Sequence, residues 1–164
     1  MPDLTLLHES FRRNGRVNDI LLSALTPADL ALSDGHGGWT VGHHLTHLAG
    51  FRQDWLSNIS PEHADGLFAP VKGGELPDTQ TLAAAFQAGD AAALRAVRAA
   101  LDENRSFPDP WNEGTYQSSP AHFLQHIIVH DSHHRGQIMA LLRAGGHTAE
   151  EMDALDHHWA IWRE

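Results

Sequence analysis

His130 and His134 stand four residues apart in the run His130-Asp131-Ser132-His133-His134-Arg135-Gly136-Gln137. On a helix, side chains at that spacing share one face, with Cβ atoms roughly 5–6 Å apart, so two imidazoles can point at one cation. Such a pair needs a third ligand from elsewhere in the chain. The stretch Gly42-His43-His44-Leu45-Thr46-His47-Leu48 offers candidates on a second predicted helix. There His43 and His47 are four apart, His44 and His47 three apart, and His47 borders an apolar stripe. On spacing alone His47 is the best third ligand and His44 a close competitor.

Three neutral imidazoles leave the double charge of a divalent cation intact and leave coordination positions free for water or substrate. A site of this kind acts as a Lewis acid or lowers the pKa of a bound water or thiol. All-nitrogen ligation suits Zn, Ni, Fe or Co. Histidine makes up 14 of the 164 residues, and cysteine is absent. Any thiol chemistry must therefore use a thiol carried in by a substrate. The plainer reading of so many histidines is a buried polar network or a surface patch. For His133, His157 and His158 the surface is the expectation, since nothing in the sequence fixes their direction.

The elements that must hold these residues read as helices, with no convincing strand. The first covers residues 3–25, with Leu4, Leu7, Phe11, Val17, Ile20 and Leu21 as an apolar stripe and Gly15 weakening its middle. The second starts near Thr40, a suitable N-cap, and runs to about residue 58, burying Val41, Leu45, Leu48, Phe51 and Trp55. Residues 62–78 are rich in glycine and proline and form a long loop that could roof a pocket. The third helix, 79–105, is alanine-rich, and Gly89-Asp90 suggests a kink or break within it. After an irregular stretch at 107–114, the fourth helix opens on Ser119 as N-cap with Pro120 at its first position, and Gly145-Gly146 close it. Thr148 and Glu151 spell a capping box for a short fifth helix that continues towards Trp162.

On a wheel at about 100° per residue, His126, His130, His133, His134 and Gln137 fall within a sector of roughly 100° on the fourth helix. Between Ser119 and Leu142 the only charged residues, histidine aside, are Asp131 and Arg135. The helix therefore reads as largely buried, with histidines directed inward. Gln137, three residues beyond His134, is placed to orient an imidazole from behind. Arg135 points away from the histidine sector and reads as a packing or ion-pairing residue, and Gly136 as a point of close helix approach. Trp111, Trp159 and Trp162 are candidates for a pocket wall, core or dimer contacts.

Composition bounds the rest. The length fits a single domain, residues 1–164, with room for a core that needs no disulfide. A formal charge of −10 with 11 scattered Lys and Arg argues against nucleic acid. No apolar run approaches the ~20 residues that span a bilayer, and the start of the chain lacks a signal-peptide pattern. The expectation is a cytoplasmic protein that contacts no membrane.

Trp39-Thr40-Val41, then His47-Leu48-Ala49, then the run from His126 through Ile138 with its His-x-x-x-His-Arg-Gly-Gln core, resemble the DinB-like (YfiT-type) superfamily over nearly the whole chain. The resemblance implies an all-α fold, a four-helix bundle with a crossover connection. It also implies one divalent metal, held by one histidine of the second helix and two of the fourth. Matched residue by residue these are His47, His130 and His134. Zn and Ni lead the candidate ions, with Fe, Co and Mn also compatible. Many members form homodimers, which is the expectation here.

Several branches of the superfamily resemble transferases that use a low-molecular-weight thiol of the bacillithiol or mycothiol type. The leading functional expectation is accordingly a metal-dependent transferase joining such a thiol to an electrophilic small molecule. A metal-dependent hydrolase is the alternative, although Asp131, the nearest carboxylate in sequence, sits about 100° around the helix from His130. A metal-binding or stress-response protein without turnover is the reading from outside enzymology.

Overall fold

The computed structural model describes residues 4–108 and 117–164. Four long helices, α1 (Thr5–Ala24), α2 (Val41–Ile59), α3 (Thr79–Asp102) and α4 (Ala121–Ala144), are followed by α5 (Ala149–His158) and a 3₁₀ turn, Trp159–Arg163. Two residue pairs, β1 (Phe107–Pro108) and β2 (Gln117–Ser118), form a minimal antiparallel ribbon that the sequence did not announce.

α1 and α2 each pack against both α3 and α4 but hardly against each other, so these sequence neighbours lie across the bundle's diagonal. Direction follows from two apolar clusters stacked along the bundle. α1 passes from Phe11 in one cluster to Leu21 in the other, and α4 likewise from Ile127 to Ile138; α2 runs the opposite way from Leu48 to Leu56, and α3 from Phe86 to Ala93. α2 and α3 are therefore parallel neighbours, and the chain between them must travel back the length of the bundle. This is the crossover. Its path is marked by two glycines of α2: a Cβ on Gly50 would meet Pro70 at 2.6 Å, and one on Gly42 would meet Leu76 at 2.9 Å. The loop thus lies directly on the helix that carries His43, His44 and His47.

Between the two apolar clusters sits a buried polar layer. Arg52 of α2 bonds Asp131 of α4 through Nη1–Oδ1 (2.8 Å) and Nη2–Oδ2 (2.7 Å), and its Nε bonds Asp90 of α3 at 2.9 Å. Asn14 and Asn18 of α1 donate to Asp131, and Arg135 donates to the amide oxygens of both. Every long helix contributes to the layer, which satisfies the partners a buried charge requires.

Local signals set most helix ends. Thr40 caps α2 by accepting from His43 N, Thr148 and Glu151 form the capping box of α5, and α4 closes with His147 N–Leu142 O and Gly146 N–Arg143 O bonds. Other expectations need correcting. α3 ends at Asp102 and passes Gly89-Asp90 without a break: a Cβ at position 89 would lie 2.9 Å from Arg52 Cβ, so the glycine serves that approach. Ser119 makes no side-chain capping bond, although Pro120 already has helical dihedrals and His122 N bonds Ser119 O at 2.9 Å. Gly136 is exposed, and an added Cβ there meets open space, so it permits no close approach. As expected, α1 includes Gly15 within its length. Among the described residues no helix is long and apolar enough to cross a membrane.

Candidate metal centre

α2 and α4 meet in antiparallel contact, and their histidines pair as two rungs. In the first, His47 Nε2 lies 3.1 Å from His130 Nε2; in the second, His44 Nδ1 lies 2.9 Å from His134 Nδ1. The rungs are joined because His134 packs edge-on against both His47 and His130, with ring centroids 4.9 and 4.8 Å away. Each of His47, His130 and His134 offers a ligand atom, and these atoms lie within 4.8 Å of one another. Tetrahedral ligation at a metal–nitrogen distance near 2.0–2.1 Å places nitrogens roughly 3.3 Å apart. The first rung already meets that spacing, and the ligand atom of His134 lies within 4.8 Å of both its partners.

Packing explains why the rings face each other. Leu45, Leu48 and Ala49 anchor α2 in the core, while Ile127, Ile138 and Leu142 anchor α4. Phe51, one turn beyond His47, stacks on His130 at 4.1 Å and 28°. Trp39, just before the α2 cap, lies parallel to His134 at 6.0 Å and 13°, and 5.0 Å from His47. Aromatic walls on two sides help hold the imidazoles in place.

That enclosure sets their charge. Burial pushes His130 down to about 4, helped by the neighbouring His134 and His47. His134 is likewise pushed down to about 4 by burial, then by His47, His44 and His133. His47 and His44 are lowered, again chiefly by burial. At neutral pH the cluster is therefore uncharged, with lone pairs available for a cation. His130 Nδ1 is buried without a partner, a cost that tight placement of its other nitrogen on an ion would offset.

The remaining candidates lie outside this group. His43 turns to the helix cap, its Nδ1 2.8 Å from Thr40 Oγ1. His126 is exposed and stands edge-on to Trp55 and Phe51, 6.0 Å from the His130 ring. His133, His157 and His158 are exposed. Gln137, expected behind a ligand imidazole, bonds the ring of His133 instead (2.8 Å). Asp131 points into the polar layer, where Arg52 holds its carboxyl below the ordinary range against the opposing effect of burial, which is the largest single influence on it. Trp159 is half-buried against the core and Trp162 is exposed; Trp111 lies outside the described residues.

A cavity of ≈ 670 Å³ opens beside the cluster, floored by Trp39, Thr46 and His47 and roofed by the crossover loop from Phe68 to Pro77. The roof expected from the sequence is in place. On the other side of Trp39 a second cavity of ≈ 460 Å³ touches His44, His134 and Gln137. Trp39 and Phe51 are the site residues that spacing did not single out, and His44, the competitor for third ligand, pairs with His134. An aromatic immediately before a cap and one four residues beyond His47 were the available signals.

The sequence profile of the DinB family matches residues 1–164. The fold is similar to that of a crystallised DinB-like protein from Bacillus cereus, with a TM-score of 0.66 and 23% identity over 87% of this chain and 92% of that one. No curated protein sequence matches the chain.

Proposed function

The chain belongs to the DinB family, and from that premise we propose a metal-dependent transferase that brings a low-molecular-weight thiol to an electrophilic small molecule at the His47, His130 and His134 cluster. The observation that carries the metal reading is the convergence of three uncharged imidazoles from two helices within 4.8 Å. When bound there, a divalent cation, Zn or Ni foremost, would supply Lewis acidity that lowers the pKa of an incoming thiol or water.

The chain's own residues supply placement and enclosure. His47, His130 and His134 would hold the ion, and Trp39 and Phe51 pack against the rings of His47 and His130. The ≈ 670 Å³ cavity that reaches His47 has the volume of a small-molecule site. Its lining contains Thr46, whose hydroxyl is buried without a partner, and Lys72. The hydroxyl is placed to bond a polar substrate, and the ammonium suits an anionic group on it. With no cysteine in the chain, the nucleophilic sulfur of this reaction comes from the co-substrate. A hydrolase would call for a carboxylate base at the cluster, and Asp131, the nearest in sequence, is committed to Arg52.

Thiol-dependent consumption of a model electrophile, measured on metal-loaded protein beside the hydrolysis of activated esters, tests the reading. Turnover that needs both metal and thiol supports it. Ester hydrolysis without thiol, or no turnover of either class, replaces it with the hydrolytic or the non-catalytic alternative. A homodimer and a cytoplasmic setting belong to the same proposal.

A further inference from the structure

The two nitrogens of His134 have different tasks. Nδ1 is taken by Nδ1 of His44 at 2.9 Å, which leaves Nε2 as the nitrogen free to ligate. A bond between two neutral imidazole nitrogens holds one proton, supplied by one ring or the other. If His44 supplies it, His134 carries its own proton on Nε2 and has no lone pair there. If His134 supplies it, Nε2 is bare and can bind a cation.

Resting on the metal reading above, we infer that His44 is a positioning residue of the centre: it accepts the Nδ1 proton of His134 and so fixes the tautomer in which Nε2 of His134 ligates. Three observations support this. His44 is itself buried and lies edge-on to Trp39 at 5.4 Å, so its ring has little room to turn away. Having accepted at Nδ1, it carries its proton on Nε2, and the ≈ 460 Å³ cavity it borders lets water take up that N–H. The third is the contrast with His130, whose Nδ1 is buried without a partner. Ligand imidazoles are generally oriented by a bond at the non-ligating nitrogen, and here another imidazole provides it. The two rungs therefore divide the labour, one facing the ion and the next setting a tautomer for it.

The test is a Co²⁺ titration of metal-free protein against a competing chelator, on the wild type, His44→Leu and His44→Asn. Leucine removes the acceptor, whereas the asparagine carbonyl restores one close to the position of Nδ1. The expected result is binding about 10–100-fold weaker in His44→Leu and recovered to within about threefold in His44→Asn. Nitrogen-15 NMR of the Zn²⁺-loaded wild type should show His134 protonated at Nδ1, and this reading stands alone if His44→Leu fails to fold. Unchanged Co²⁺ affinity in a folded His44→Leu protein, or a proton on Nε2 of His134 in the loaded wild type, would overturn the inference. A wild type that takes up no Co²⁺ removes the metal reading and this inference together; uptake that ignores His44 removes this inference alone.

Discussion

Arg52 and Asp131 form a two-pronged ion pair, at 2.8 and 2.7 Å, between two side chains with no exposed surface. Asp131 stands between His130 and His134 in sequence, and Arg52 lies five residues beyond His47. The pair thus ties together, at one level of the bundle, the two helices that bring the imidazoles face to face.

Breaking that pair by removing one partner strands a buried charge. Arg52→Met or Asp131→Asn should destabilise the protein by about 3–5 kcal/mol, read as a lower midpoint in urea unfolding. A loss below about 1 kcal/mol would mean that the layer is hydrated or readily repacked, contrary to its burial here.

Two glycines should respond in opposite directions to alanine. At Gly89 the new methyl would press on Arg52 Cβ and Cγ at 2.9 and 3.0 Å, so overpacking of about 1–3 kcal/mol should outweigh the gain in helix propensity. At Gly136 the methyl meets nothing within 4 Å, and Gly136→Ala should stabilise by about 0.5–1 kcal/mol. Melting temperatures of the two variants check the pair. The same sign in both would contradict the placement of Arg52 against α3.

Acid should weaken the metal-free protein through the imidazoles. His130 and His134, both pushed down to about 4, titrate near 6.5 once unfolded. Between those values the unfolded chain binds more protons, so stability rises with pH and is lost on acidification. Asp90, raised to about 6 by burial, opposes this over part of the window, but one carboxyl stands against two strongly shifted rings. The melting temperature of metal-free protein should therefore fall from pH 7 towards pH 4.5. A His130→Gln/His134→Gln double variant should show a shallower slope, and an equal slope would place the pH dependence elsewhere.

Much of this arrangement was legible in the sequence, for identifiable reasons. Thr40, Thr148 and Glu151 act through local bonds, so reading them required no tertiary knowledge. The i,i+4 spacing of His130 and His134 fixed a shared face, and the glycine- and proline-rich segment after Pro61 indicated a covering loop. Residues whose role depends on a distant partner were harder to read. Gly89 looked like a helix breaker until Arg52 was seen against it, and Gly136 suggested a contact that does not exist. Gln137 had the right spacing to support a ligand, yet His133 was nearer. Which histidine of α4 faces His44 and which faces His47 required knowing how α4 lies along α2, since both share a face and only the cross-helix register separates their partners. Asp131 and Arg135 did leave a trace, as the only charges other than histidine between Ser119 and Leu142.

The central claim is that His47, His130 and His134 together hold one divalent ion. Its most direct test is elemental analysis of protein purified without metal-affinity resin, comparing the wild type with His47→Ala, His130→Ala, His134→Ala and, as controls, His126→Ala and His133→Ala. The account predicts one ion per chain in the wild type and both controls, and loss of the ion in each of the other three. Full metal content in His130→Ala would contradict it.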